Sequence, residues 1–339
     1  MSELRLTENG TTPVLKDGAA DAAVTLGTTS VSRADMPAGP TGKPLPLRFP
    51  DRDFGNAQDT EWCEVYRNGE WRRLRLHDYE AIYRIPGLYE RLFRDALRCC
   101  SPEEVVSLLG EVLNRAEFPP MGLRVLDLGA GNGMVGEELR RLPVGYLVGA
   151  DILTEAAVAA RRDRPGLYDD YVVADLTDPP AFACEALRAA RLNCLVTVAA
   201  LGFGDIPPRA FARAFNSISV PGWVALNIKE TFFCGGDDTG FFRLLRCLWE
   251  DGLVQIEAMR RYIHRRSVDG KPLHYVALVA RKCADVPEEL VEEASEVGGG
   301  RPILSFAPSS HREAEESALR KAPRMQDLFF IRPSGDCTS

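Results

Sequence analysis

The stretch RVLDLGAGNGMVGEEL, residues 124–139, is the most informative part of this 339-residue chain. It begins as a short apolar run, opens into four glycines within eight positions, and then enters a segment that favours a helix. Glycine lets the backbone approach a ligand closely, and the turn from a strand into a helix is where open α/β sheets bind nucleotides and phosphates. The stretch therefore predicts a site for a dinucleotide, a phosphate or another nucleoside-bearing cofactor.

Two interpretations of these glycines compete. Read from Gly131, GNGMVG matches the dinucleotide fingerprint, with Asp151 twenty residues later as the ribose-binding acid. Read from Asp127, DLGAGNG is an acid at a strand end followed by glycines at every second position. The first interpretation would place Asp127 and Gly129 inside a buried parallel strand, where neither is favoured. The second leaves RVLDL as the strand, with Asp127 at its exposed carboxyl end, and is preferred.

From Met121 onward, apolar strands alternate with helical segments. The predicted strands lie at about 123–128, 145–150, 171–175, 193–199 and 223–228. The predicted helices lie near 133–141, 154–163, 180–190, 208–217 and 238–251. Two further strands flank the turn residues 268–271. This pattern predicts an α/β, Rossmann-like fold with a mostly parallel seven-stranded sheet that ends in an antiparallel hairpin.

The chain divides into four predicted segments: a disordered or draped leader (1–45), an N-terminal hairpin and helical lid (46–120), a catalytic domain (121–283), and an acidic helix with a C-terminal tail (284–339). Within the lid, Asn68-Gly69 is a strong hairpin signal. Ile85-Pro86-Gly87 interrupts a helical pattern. Ser101 is expected to cap the next helix, with Pro102 in its first turn.

Composition excludes several classes of function. The net charge of −8 and a pI near 5.3 argue against a dedicated nucleic-acid binder, which needs a cationic face. The start of the chain has no signal-peptide pattern, and its apolar runs are too short for a bilayer span, so no membrane partner and a cytoplasmic location are expected. The nine cysteines form no CxxC pair, which favours free thiols over zinc or redox chemistry.

Three motifs in order then indicate a family. VLDLGAGNG, followed by GADI and VVADL at the ends of the next two strands, resembles the class I S-adenosylmethionine (SAM)-dependent methyltransferases of small-molecule type. The resemblance covers roughly residues 121–282, and the segment DYEAIYRIPGLYERLF is similar to the aromatic lead-in that closes over the cofactor. It implies methyl transfer from SAM to a small organic molecule in specialised-metabolite biosynthesis. A peptide or protein side-chain methyltransferase, a non-catalytic SAM-binding scaffold and a nicotinamide dehydrogenase remain alternatives.

The resemblance also implies which residues hold the cofactor. Asp151 would accept hydrogen bonds from the ribose hydroxyls, Asp175 with Leu176 would meet the adenine, and Ala199 would pass near the methionyl group. The complete predicted set is Asp127, Gly129, Ala130, Gly131, Gly133, Asp151, Ile152, Asp175, Leu176, Ala199, Tyr79 and Tyr83.

The acceptor side offers two candidate bases, Glu230 after the fifth strand and His264 in the final hairpin, with His77 a weaker third. The alternative for the first is a surface glutamate, and for the second an exposed histidine on a polar strand. The predicted acceptor pocket consists of Tyr89, Phe203, Phe232 and Phe233, and the tyrosines of the lid equally suit packing within the lid.

Two further features bear on the acceptor. The arginines around His264 form a basic patch that would suit an anionic acceptor, or a solvated strand face paired with glutamates. The segment VAALGFGD replaces the Asn/Asp-Pro-Pro-aromatic loop common in nucleic-acid methyltransferases of this fold, so a nucleic-acid acceptor is not expected. No aspartate-rich set predicts a metal site.

Overall fold

The computed structural model describes residues 45–50, 58–202, 204–230 and 240–296. Nearly all of the predicted leader and the whole tail after Glu296 lie outside these described residues. The helix that begins the predicted C-terminal segment is present as α8, Glu288–Glu296.

The N-terminal segment forms a small antiparallel sheet followed by two short helical pieces. The sheet has the order β1-β2-β3, from Leu47–Arg48, Trp62–Arg67 and Glu70–Arg75. Asn68 and Gly69 both have left-handed φ values, 52° and 89°, which matches the predicted hairpin turn. Helix α1 (Tyr79–Tyr83) and a π-helical segment (Glu90–Ala96) follow, separated at the predicted Ile85-Pro86-Gly87 break.

A seven-stranded sheet forms the centre of the chain. Its order is β6-β5-β4-β7-β8-β10-β9. The strands are β4 (Arg124–Leu128), β5 (Tyr146–Asp151), β6 (Asp170–Val173), β7 (Cys194–Thr197), β8 (Gly222–Lys229), β9 (Val254–Arg266) and β10 (Pro272–Lys282). Strands β4 to β8 pair in parallel, and β10 is antiparallel to both of its neighbours. The predicted fold is confirmed.

Helices cover both faces of this sheet. They are α2 (Ser101–Arg115), α3 (Met134–Arg141), α4 (Thr154–Asp163), α5 (Ala181–Ala189), α6 (Pro208–Asn216) and α7 (Phe241–Glu250). Apolar side chains of α2 and α3 pack on one face in one core cluster, whereas α5, α6, α7 and α8 pack on the other. The chain runs from β4 outward to β6 and then returns to β7 on the other side of β4, which makes the β4–β7 boundary the topological switch point where open α/β sheets bind ligands.

Helix α2 begins at Ser101 with Cys100 as the preceding cap residue, so the prediction of Ser101 as the cap was wrong by one position. The reason is that its buried hydroxyl bonds instead to the Tyr262 hydroxyl and to Nδ1 of His264, each at 2.6 Å. Within the described ranges, none of the helices has the length and hydropathy that a membrane crossing requires.

Candidate functional site

A cavity of about 650 Å³ lies at the carboxyl ends of the parallel strands. It is lined by Leu128 at the end of β4, Asp151 at the end of β5, Asp175 just after β6 and Ala199 just after β7. The cavity therefore lies at the topological switch point. We refer to the residues at these strand ends, 128–131, 150–153, 174–176 and 198–200, as the cavity rim.

The glycine turn forms one wall of the rim. Strand β4 ends at Leu128, and the left-handed φ values of Gly129 (73°) and Gly131 (55°) follow immediately. A Cβ at Gly129 would lie 2.9 Å from Cβ of Ala200, closer than packed atoms tolerate. The turn thus begins at Gly129, as the preferred interpretation predicted, and both conformation and space require glycine there.

Asp151 fastens the glycine turn to the end of β5. Its two carboxylate oxygens accept hydrogen bonds from the backbone N–H groups of Gly131 (3.0 Å) and Leu153 (2.9 Å). Burial raises the pKa of Asp151 above its usual value, and the backbone hydrogen bonds oppose that rise. A carboxylate has about four lone-pair positions, so this side chain retains acceptor capacity on the cavity wall.

Asp127 does not lie where the sequence suggested. It was expected at an exposed strand end, but it is completely buried and lines neither the large cavity nor a second, inner cavity of about 60 Å³ next to it. Its Oδ2 accepts a hydrogen bond from the Tyr168 hydroxyl at 2.7 Å, and its Oδ1 has no hydrogen-bond partner among the described residues. Burial raises the pKa of Asp127 to about 7, with a smaller lowering by Tyr168. The expectation failed because the pleat of β4 turns this side chain inward, toward Tyr168.

Beside Asp151, the rim presents one apolar and one acidic side chain. Ile152 is 59% exposed and lines the cavity. Asp175 is also exposed, and its Oδ1 accepts the N–H of Thr177 at 2.8 Å in a tight local turn. Leu176 is buried beneath it. This part of the rim can hold a flat ring against Ile152 with polar groups at its edge.

Aromatic rings of the N-terminal segment cover the rim. Tyr79, Tyr83 and Tyr89 all line the large cavity. The ring centroids of Tyr83 and Tyr89 are 5.2 Å apart, and those of Tyr89 and Phe93 are 4.7 Å apart. A Cβ at Gly131 would collide with the Tyr83 hydroxyl, so this tyrosine lies directly on the glycine turn. The tyrosines therefore pack on one another and wall the cavity at the same time.

Behind the rim lies a buried polar cluster that sequence reasoning missed. Ala199 has a left-handed φ of 56°, and its N–H donates to Oδ1 of Asn227 at 2.7 Å. Nδ2 of Asn227 donates to the hydroxyls of Tyr262 (2.7 Å) and Ser101 (3.1 Å), and Ser101 in turn contacts His264. We call Ser101, Asn227, Tyr262 and His264 the Asn227 network. It holds the backbone after β7 in a conformation that costs energy for a residue with a side chain.

The two candidate bases lie in different surroundings. His264 lines only a small inner cavity of about 60 Å³, and it is 4% exposed and bonded to Ser101. Burial, with a smaller contribution from Arg265, holds the pKa of His264 well below its usual range. Glu230 lines neither cavity, and both of its oxygens accept hydrogen bonds from Arg261, at 2.6 and 3.0 Å. That pairing lowers the pKa of Glu230.

The basic patch around His264 consists largely of paired arginines. Arg260 contacts Glu104 and Glu111, and Arg261 contacts Glu230. Arg265 forms an ion pair with Glu61 at 2.6 Å, with both side chains almost fully buried. The pairs of Arg260 and Arg261 favour the solvated strand-face interpretation over a binding site for an anionic acceptor, whereas the Arg265 pair belongs to the interior.

His77, the weakest of the predicted bases, reaches the centre of the site. It lines both cavities together with Asp205, and its Nδ1 lies 3.2 Å from Oδ2 of that residue. Asp205 is the last residue of the VAALGFGD segment. The only sequence signal for it was an acid in the loop after the fourth parallel strand, since nothing in the spacing connects it to His77.

The predicted residues still to be placed are two on the glycine turn and three phenylalanines. Ala130 lines the inner cavity, whereas Gly133 lines neither cavity and packs on Leu167. Phe203, Phe232 and Phe233 lie outside the described residues. Among the residues that the structure describes, no group of three or more His, Cys, Asp or Glu side chains is arranged to hold a metal ion.

Comparison with known proteins finds likeness in fold rather than in sequence. No protein-family model and no curated protein matches the sequence significantly. Among solved structures, the N-methyltransferase NodS from Bradyrhizobium japonicum WM9, in complex with S-adenosyl-L-homocysteine (SAH), has a TM-score of 0.44 and 14% identity, over 60% of this chain and 96% of NodS.

Two further solved structures are similar to this chain. Magnesium protoporphyrin IX methyltransferase (ChlM) from Synechocystis PCC 6803, with bound SAM, has a TM-score of 0.37 and 15% identity, over 53% of this chain and 79% of its own. The ribosomal protein L11 methylase from Lactobacillus delbrueckii subsp. bulgaricus has a TM-score of 0.36 and 17% identity, over 52% and 77%. At such identities the likeness concerns the fold alone.

Proposed function

We propose that this chain, whose sheet and helices form a Rossmann-like class I methyltransferase fold, transfers a methyl group from SAM to a small organic acceptor. The observation that carries this proposal is the cavity rim, where a glycine turn, an acid at the end of β5 and a covering row of tyrosines meet at the switch point of the sheet.

The residues of the rim fit this cofactor. The backbone at Gly129 and Gly131 can approach the methionyl end, because neither residue carries a Cβ. Asp151 has unused acceptor positions for the two ribose hydroxyls. Exposed Ile152 offers an apolar surface for the adenine ring, next to Asp175 and the Leu176 backbone. A dinucleotide would use the glycine turn differently, starting from Gly131, which is not where this turn begins.

When bound, SAM supplies an electrophilic methyl group for in-line displacement. The chain's own contribution is then orientation and the exclusion of water. The Asn227 network fixes the backbone of Ala199 on the cavity wall, and the tyrosine rings of Tyr79, Tyr83 and Tyr89 cover the glycine turn. The aromatic rings on the cavity wall suit a small organic acceptor, and a peptide or protein acceptor is an outcome of the second test below.

The first test is cofactor binding by the purified full chain. We expect isothermal titration to detect binding of SAH and none of NAD⁺, and a hundredfold excess of SAH over its dissociation constant to stabilise the fold by about 2.7 kcal/mol. Asp151→Ala removes the acceptor for the ribose hydroxyls and the hydrogen bond that holds the Gly131 N–H, so SAH affinity should fall about 100-fold. Asp178→Ala, an exposed acid in the loop after β6, is the matched control and should bind normally. Binding of NAD⁺ in preference to SAH would overturn the proposal.

The second test concerns the acceptor. A bacterial lysate is separated by ultrafiltration into small-molecule and protein fractions, and each is incubated with the chain and SAM labelled in its methyl group. We expect label in the small-molecule fraction. Label confined to the protein fraction would instead favour a side-chain methyltransferase, and tight SAH binding with no transfer to either fraction would favour a non-catalytic scaffold.

A further inference from the structure

The cavity contains a histidine–aspartate pair, formed by His77 and Asp205. Resting on the proposed function above, we propose that His77, oriented by Asp205, is the general base that removes a proton from the acceptor. The acceptor is therefore a hydroxyl or amine compound rather than a carboxylate, because a carboxylate has no proton to lose at neutral pH.

The geometry of the pair is that of an oriented base. Nδ1 of His77 lies 3.2 Å from Oδ2 and 3.4 Å from Oδ1 of Asp205. The side chains of His77 and Asp205 are 17% and 26% exposed, so both are largely shielded but reach the cavity. The Tyr79 ring packs edge-on against the imidazole, with centroids 5.6 Å apart. The imidazole is thus fixed by a carboxylate at one nitrogen and by an aromatic ring at its side.

Backbone hydrogen bonds fix the segments that carry His77 and Asp205. Asp205 lies in a tight loop closed by a bridge between Leu201 and Ile206, and its N–H donates to the Gly202 carbonyl at 3.3 Å. His77 follows Leu76, whose N–H donates to the Glu61 carbonyl at 2.8 Å. The two residues are 128 positions apart in sequence, so only the folded chain brings them together.

The pairing selects the basic nitrogen. An ionised carboxylate can only accept hydrogen bonds, so Nδ1 of His77 carries the hydrogen that points at Asp205. The lone pair of the neutral ring is then on Nε2, which is the arrangement that a general base requires.

The methyl transfer step needs only the acceptor, SAM and His77. The acceptor's lone pair forms a bond to the methyl carbon, and the bond between that carbon and the sulfonium sulfur breaks with its electrons remaining on sulfur. The acceptor's proton passes to Nε2 of His77. The resulting imidazolium lies beside the Asp205 carboxylate, which stabilises its charge.

The decisive experiment needs no acceptor. Nitrogen-15 NMR of the full chain with SAH bound distinguishes protonated from lone-pair ring nitrogens, and the His77 signals are assigned by their loss in His77→Gln. We expect the hydrogen on Nδ1 and the lone pair on Nε2 at neutral pH. In Asp205→Asn the amide can donate to Nδ1, so the hydrogen should move to Nε2. A wild-type His77 with its hydrogen on Nε2 would overturn the assignment.

Turnover gives a second, independent readout. Labelled SAM is offered with 4-methylphenol, benzylamine and phenylacetic acid as probes of the three acceptor classes. We expect methylation of the phenol or the amine, with a kcat about 100-fold or more lower in His77→Gln and the KM for SAM unchanged. His274→Gln, a histidine on β10 that lines neither cavity, is the matched control and should turn over normally.

These outcomes separate the two proposals. A wild-type chain that does not bind SAH contradicts the proposed function itself. A chain that binds SAH but methylates only phenylacetic acid, or whose His77→Gln variant keeps its kcat, contradicts the role of His77 and leaves the proposed function intact.

Discussion

The cavity rim and the Asn227 network are joined by a hydrogen bond from the Ala199 N–H to Asn227, yet they are built in opposite ways. The rim presents left-handed glycines, an exposed isoleucine and carboxylates with unused acceptor positions. Every residue of the network is buried, and its polar groups bond to one another. A ligand can be recognised only by groups that still have contacts to make, so the rim is suited to binding and the network to support.

His264 and His77 differ in the same way as the network and the rim. His264 belongs to the network, where burial keeps its pKa well below the usual range and Ser101 occupies Nδ1. His77 lines both cavities beside a carboxylate. A histidine's role therefore follows from what surrounds it rather than from its residue type.

The largest expected effect lies beneath the rim, at Asp127. Its pKa of about 7 exceeds the ordinary value of 3.8, so between about pH 4 and 7 the folded state retains a proton that the unfolded chain has released. This contribution to stability is therefore fully present below about pH 4 and is lost as pH rises to about 7. Relative to wild type, Asp127→Asn should gain up to about 4 kcal/mol in unfolding free energy across that range.

The measurement is urea unfolding of both proteins at a series of pH values. A stability difference that does not change with pH would contradict the raised pKa and would place Asp127 among the groups that titrate normally.

The next effect tests the network. Asn227→Leu removes the acceptor of the Ala199 N–H and the donor to two hydroxyls, so it should cost about 3 kcal/mol of unfolding free energy. Asn114→Leu, at an exposed position near the end of α2, should change stability by less than about 0.5 kcal/mol. If the two substitutions cost the same, the network is not the support that its hydrogen bonds suggest.

On the rim, the expected effect is on binding rather than stability. Ile152→Ser removes exposed apolar surface that a bound adenine would cover, so SAH affinity should fall about tenfold while the melting temperature of the free protein stays the same. Val158→Ser, on the exposed side of α4, is the control and should leave affinity unchanged. Equal loss of affinity in both variants would show that Ile152 does not contact the cofactor.

The smallest effect is expected at Glu230, which belongs to neither region. Its ion pair with Arg261 is exposed, so Glu230→Gln should change the unfolding free energy by less than about 1 kcal/mol. Methyl transfer by this variant should remain close to wild type, because the side chain lines neither cavity. A large loss of kcat would instead return Glu230 to the set of candidate bases.

Much of the fold could be predicted because it depends on local patterns. Helix α4 spans Thr154–Asp163, the predicted range, and the strands of the central sheet differ from prediction by a few residues at most. The glycine turn was predicted from its first residue because a glycine at 129 is disfavoured inside a buried strand, and the same argument was applied to the carboxylate of Asp127. The same argument failed for the side chain of Asp127, because a tyrosine 41 positions away provides the hydrogen bond that makes its burial tolerable.

The alternation of strands and helices, the position of the glycine turn and the acid at the end of β5 could all be predicted from local sequence, since backbone conformation and strand ends follow from neighbouring residues. The folded chain was needed to see which polar side chains meet: His77 with Asp205, Asn227 with Ser101 and Tyr262, and Glu230 with Arg261. These contacts depend on how distant segments pack. No periodicity within a segment records the position of a partner that the fold brings from far along the chain.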